Sequence, residues 1–130
     1  MNSSRSGTPQ ELGRRAEALA ESHLQRRGLT TVAKNHRFAR GEIDIVMLDG
    51  STLVFVEVRF RKRSDYGSAS ESVFDIKQRR IIMAAQHFLQ SQSTHSNRPC
   101  RFDVVIVNAS TDGALSDDAP VEWIRDAFQA

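Results

Sequence analysis

A single cysteine, Cys100, excludes an intramolecular disulfide and any cysteine-rich metal site, and leaves a buried or incidental thiol as the expected role rather than a nucleophile. No apolar run approaches the roughly 20 residues of a membrane span. The opening MNSSRSG lacks the apolar core of a secretory signal. Together these absences lead us to expect a cytoplasmic protein. There is no internal repeat and no glycine-rich phosphate loop.

What is present suits one domain with a real core, since hydrophobic residues make up 39% of the 130 positions. The net charge of +2 hides an asymmetry. Residues 1–110 carry 17 Lys and Arg against 11 Asp and Glu, whereas residues 111–130 carry one against five. The basic residues cluster as Arg14-Arg15, Arg26-Arg27, Arg37 with Arg40, the run Arg59, Arg61, Lys62 and Arg63, and Lys77 with Arg79-Arg80. Basic surface of this density suits a polyanion, although any single pair is more commonly plain solvated surface.

The stretch with most information is Gly41 to Arg63. Asp49-Gly50 is a hairpin signal flanked by β-branched and aromatic runs. Alternation puts Glu42, Asp44, Val46, Leu48, Leu53, Phe55, Glu57 and Arg59 on one face, and the wholly apolar Ile43, Ile45, Met47, Val54, Val56 and Val58 on the other. Both faces therefore look covered, and the hairpin central in its sheet. If Asp49 to Thr52 forms the loop, Asp44 lies directly opposite Glu57; if Asp49-Gly50 alone forms it, they lie one pair apart. Two carboxylates this close need a shared proton, a cationic neighbour or a divalent metal. Arg59 is such a neighbour, so an ordinary ion pair with Asp44 or Glu57 is the plainer alternative to a metal site.

Thr8-Pro9-Gln10-Glu11 is a capping-box pattern that predicts a helix to about Arg27, ended by Gly28, with Glu17 bordering its apolar stripe. Leu29 to Phe38 reads as a first strand leading into the hairpin. Arg61 to Glu71 reads as an exposed basic loop. Ser72 to about Gln92 repeats Val73, Ile76, Ile81, Ala84, Ala85, Phe88 and Leu89 at helical spacing. Lys77 falls in its first turns, where the helix dipole disfavours a cation unless an anion is nearby. Arg101 to Asn108 reads as a strand parallel to Leu53–Phe60, with Asp103 a structural residue. Ala109 to Pro120 is small, acidic and expected to be mobile, and VEWIRDAF closes the chain as a short strand or helical turn.

GEIDIV, an apolar strand ending VEVR, a preceding helix with GRRAE, and a following helix with Lys77 and strand RFDVV together resemble the YraN family over about residues 10 to 108. That bacterial family resembles the archaeal Holliday-junction resolvases. The resemblance implies an α/β restriction-endonuclease-like fold, with a mixed central sheet containing a β-hairpin and a βαβ crossover, and helices on both faces. It implies an endonuclease-like domain over 9–108, preceded by a flexible 1–8 and followed by 109–130 packed on the same domain. The implied function is divalent-metal-dependent phosphodiester hydrolysis on DNA, including branched or single-stranded DNA. Asp44 and Glu57 would be the ligands of Mg²⁺ (or Mn²⁺), with Glu17 an added acidic member. Arg59 stands where such nucleases carry a lysine, and an arginine cannot act as a base; Lys77 is the candidate to supply the ammonium. Arg40, Arg61, Lys62 and Arg63 would hold the DNA backbone and Tyr66 would stack on a base. The alternative is a non-catalytic nucleic-acid-binding domain with Arg59 in the cation's place. A homodimer would match a symmetric junction.

Overall fold

Thr8 opens the first helix by the reciprocal bonding its sequence predicts. Its Oγ1 accepts the Glu11 N–H at 3.1 Å, and Glu11 Oε1 accepts the Thr8 N–H at 2.7 Å. The computed structural model describes residues 7–62, 71–110 and 115–130, and the side chains of all of these except 71–75. Helix α1 runs Pro9–Gln25, followed by strands β1 (Thr30–Phe38), β2 (Gly41–Asp49) and β3 (Thr52–Arg61), helix α2 (Glu71–Ser91), a 3-10 turn at Ser93–His95, and strands β4 (Cys100–Asn108) and β5 (Val121–Phe128). Gly28 reverses the chain after α1 at φ +100°, two residues beyond the earlier helix end that Arg26 caps.

The five strands form one mixed sheet in chain order. The pairs β1·β2, β2·β3 and β4·β5 are antiparallel, and β3·β4 is parallel, as a strand–helix–strand crossover requires. The hairpin is central, and residues Leu53 to Glu57 of β3 are all buried. Its loop is Gly50-Ser51 rather than Asp49-Gly50, with Asp49 facing Thr52 and Leu48 facing Leu53. Gly50 sits at φ +61°, so the glycine goes where left-handed backbone is needed and the turn moves one residue on. This register is the one that brings Asp44 level with Glu57.

Each face of the sheet has its own helix. On the α1 side Ala16, Ala20 and Leu24 pack with Ile45, Met47, Val54, Val56, Val105 and Val107. On the α2 side Ile81, Ala84, Ala85 and Phe88 pack with Val46, Leu53, Phe55, Phe102 and Val104. Alternation predicts these sets except at Ile43, which packs on the α2 side with Val46. The β2·β3 pairing stops at Ile45 opposite Val56, and beyond it the backbone of β2 is paired only with β1, so the strict alternation of a two-sided ladder no longer applies.

Residues 121–128 take the strand of the two forms expected there, because β4 offers a free edge that Val121–Phe128 completes. Cys100 is exposed, which leaves an incidental thiol of the two roles expected for it. Ile76, placed on the apolar stripe of α2 by its spacing, is 48% exposed. The acidic segment after Ala109 is anchored by Leu115, which lies against the α1 core and is 2% exposed; residues 111–114 lie outside the described ones. Asp103 has the structural role expected of it. Fully buried, it pairs with Arg101 at 3.0 Å and accepts the Trp123 Nε1–H and the Asp126 N–H, each at 2.9 Å.

Gly41 opens β2 where the strand passes the backbone of α2. A Cβ there would fall 2.1 Å from the Arg80 carbonyl oxygen, which the helix cannot move aside cheaply. Gly13, inside α1, has nothing within 4 Å of such a Cβ. Gly41→Ala is therefore expected to destabilise by about 1–3 kcal/mol, while Gly13→Ala stabilises by about 0.5–1 kcal/mol. Urea unfolding of both variants beside the wild type checks the opposite signs.

Candidate active site

Where β2 and β3 cease to pair, a side chain takes over from the backbone. Asp44 Oδ2 accepts the Val58 N–H at 2.7 Å, satisfying a strand donor that the ladder has released. Glu57 precedes Val58 and is only 4% exposed. A carboxylate this buried needs cationic partners, and two are present. Arg59 Nε lies 3.1 Å and Lys77 Nζ 2.8 Å from the same oxygen, Glu57 Oε2. The lysine comes from the first turns of α2, so the anion that its position asked for is Glu57. The lysine side chain itself remains 54% exposed.

Asp44 has the opposite electrostatics. Burial, with the charges of Glu17 and Glu42, pushes its carboxyl up to about 7 in spite of the Val58 N–H and Lys77, which favour the ionised form. Asn35, held at φ 55° in β1, relieves part of this crowding. Its Nδ2 donates to Glu17 Oε1 at 3.2 Å and to Glu42 Oε2 at 2.9 Å, tying α1 to β2 through one amide. Glu17 thus contributes charge at Asp44 while its own carboxylate is engaged. Among the described residues, no three His, Cys, Asp or Glu side chains are grouped to hold a metal ion.

Asp44, Glu57 and Lys77 line an open groove of about 520 Å³ together with Arg40, Arg80 and Ile76. Arg40 is therefore beside the two carboxylates. Arg61 turns the other way, its guanidinium donating to Asn108 Oδ1 at 2.9 Å and pairing with Glu122 on β5. Lys62 is exposed just past β3. Arg63 and Tyr66 lie outside the described residues. Sequence reasoning passed over Asn35, Arg80 and Ile76 as members of this region. The periodicity of α2 could have indicated Arg80, one turn from Lys77 on the same side; nothing in the sequence marks Asn35, whose role depends on a left-handed backbone.

The class these features define is an α/β protein whose central sheet opens into a groove with two carboxylates and several cations. The sequence profile of the uncharacterised protein family UPF0102 matches residues 16–107. A UPF0102 protein of Pseudomonas fluorescens is 49% identical over 124 residues, covering 95% of this chain and 98% of the relative. One from Pseudomonas aeruginosa is 50% identical over 118 residues, 91% and 92% of the two chains. Another from Saccharophagus degradans is 49% identical over 118 residues, with the same coverage. The chain belongs to the UPF0102 family, which is the YraN family.

The Asp44 environment has a consequence for stability. Its carboxyl titrates near 7 in the native chain against an ordinary 3.8, so between those values the native state holds a proton that the unfolded state has released. The group's contribution is full below about pH 4 and is lost as the pH rises through 7. Relative to Asp44→Asn, the wild type is expected to lose about 2 kcal/mol between about pH 5 and pH 8. Urea unfolding at the two values measures this, and parallel behaviour of the two proteins would mean that Asp44 stays ionised.

Proposed function

We propose that this chain is a divalent-metal-dependent nuclease that hydrolyses phosphodiester bonds in DNA, acting on branched or single-stranded forms, on a restriction-endonuclease-like fold. The order α1, three antiparallel strands, α2 and a parallel strand supports that fold. One observation carries the activity: Asp44 and Glu57 meet at the end of the β2·β3 ladder with the Lys77 ammonium 2.8 Å from Glu57. The strand position that carries Arg59 is thereby supplemented by an amine from the neighbouring helix.

The donor chemistry fits a hard cation. Asp44 and Glu57 offer carboxylate oxygens that suit Mg²⁺ or Mn²⁺ rather than a thiophilic metal, and the carboxyl of Asp44, raised by burial and by the charges of Glu17 and Glu42, is one that a bound cation would lower. Asp44 and Glu57, with Glu17 nearby, would hold such an ion, which would supply an activated water and offset charge developing on the phosphate. The chain does the rest. The Val58 N–H holds Asp44 in orientation. Arg59 stays protonated, so it can clamp a phosphate but cannot accept a proton. Lys77, drawn from Glu57 when a phosphate enters, donates to a non-bridging oxygen. Arg40 and Arg80 extend the cationic groove along the backbone.

A second reading rests on the same carboxylate. Glu57 is already neutralised by Arg59 and Lys77, and two resident cations suit a metal-free domain that binds nucleic acid without cutting it.

Cleavage of linear duplex, single-stranded and four-way-junction DNA with Mg²⁺, Mn²⁺ or EDTA tests both. Expected is metal-dependent cutting, abolished in Asp44→Asn and Glu57→Gln and lowered about a hundredfold in Lys77→Ala, the scale for one electrostatic donor to a reacting group. Full activity of Lys77→Ala would remove it from the chemistry. Metal should also raise the melting temperature of wild type but not of Asp44→Asn. DNA bound with steep salt dependence but left uncut under every condition would favour the second reading.

A further inference from the structure

Next to the groove holding Asp44 and Glu57 is a smaller notch of about 310 Å³, walled by Phe38, Ala39, Met83, Arg40, Gly41 and Arg80. The last three line both hollows, so one continues into the other. Phe38 is 37% exposed and Met83 49% exposed, although both are large apolar side chains. Among the described residues, no carboxylate lines the notch.

The aromatic wall is held in orientation. Phe38 stacks on His87 with ring centroids 4.3 Å apart and planes 14° from parallel. His87 Nδ1 in turn shares a 3.0 Å hydrogen bond with His36 Nε2, joining α2 to β1. Ala39, the next residue, sits at φ +54°, a backbone strain of the kind that persists where surrounding structure imposes it. An oriented ring, a polarisable thioether and two flanking guanidiniums call for a ligand with a flat π-face joined to an anion. A nucleotide has both. A base inside a duplex keeps its faces covered by its neighbours, so only an unpaired one can offer a face to Phe38.

We propose that this notch receives the base of an unpaired nucleotide in DNA whose adjoining phosphate lies in the Asp44–Glu57 groove, with Phe38 and Met83 against the base and Arg40 and Arg80 beside the phosphate. The inference rests on the nucleic-acid reading above and narrows it: the preferred DNA has an unpaired nucleotide next to the bound phosphate, and fully paired duplex is the poorer ligand.

Binding in EDTA, where nothing is cut, tests it by fluorescence anisotropy on three DNAs: a paired duplex, the same duplex with one unpaired adenine, and that duplex with an abasic unit replacing the adenine. Wild type is expected to bind the unpaired adenine about tenfold more tightly than the abasic form, the scale of one base stacked on an aromatic side chain. Phe38→Ala should lose this difference while binding the paired duplex like wild type, and Phe38→Trp should keep it. Melting curves check that the variants fold, and Met83→Ala provides a second probe of the same wall. Equal affinity of wild type for the adenine and abasic forms, or a difference that survives in Phe38→Ala, would overturn the base site and leave the nuclease reading standing. Absence of DNA binding by wild type in EDTA and in Ca²⁺ alike would overturn both.

Discussion

The buried carboxylate of Glu57 is the constraint on which the rest of the site depends. It lies on the central strand and is only 4% exposed, so water solvates it poorly. An unpaired charge in such a place costs several kcal/mol. Arg59 from the same strand and Lys77 from α2 offset that cost from two directions. The helix is thereby anchored at its first turns to the sheet by charge, and further along by Ile81, Ala84, Ala85 and Phe88. The close passage of Gly41 beneath the Arg80 carbonyl sets how near α2 can come. Charge, packing and the missing side chain at Gly41 all hold the helix at one distance from Asp44 and Glu57.

Asp44 and Glu57 are adjacent and yet electrically unlike. Glu57 has two cations in contact, whereas Asp44 is bonded to a backbone N–H and faces the negative charge of Glu17 and Glu42. The difference follows from position: Glu57 projects toward α2 and its lysine, and Asp44 lies at the splayed end of β2, near α1 and its glutamate. Under the proposed function, two carboxylates in such different surroundings would suit different tasks. The neighbouring Phe38 and Met83 notch continues the groove over apolar surface that the core does not use.

Much of this was legible in the chain. The capping box at Thr8, the meander of β1, β2 and β3, the crossover through α2, and the burial sets on the two faces all follow from local pattern. The α1 contacts of Ala16, Ala20 and Leu24 are those that helical spacing selects. Misreadings cluster where pattern no longer controls geometry. Ile43 changes face beyond the end of a ladder, Gly50 rather than Asp49 begins the turn, and Ile76 stays exposed at the rim of the groove. Arg61 has the composition of a phosphate ligand but is turned toward Asn108 and Glu122, which only the pairing of β4 with β5 brings within its reach.

By itself the sequence determined the elements, their order, the two apolar faces and the nearness of Asp44 to Glu57, because turn chemistry and side-chain alternation act over a few residues. The tertiary structure alone decided which of two hairpin registers holds, that Lys77 reaches Glu57 across the gap between helix and strand, that Asn35 joins Glu17 to Glu42, and that Asp44 is desolvated enough to keep its proton near neutrality. These depend on distances between residues far apart in the chain, and such distances are set by how closely the helices settle on the sheet.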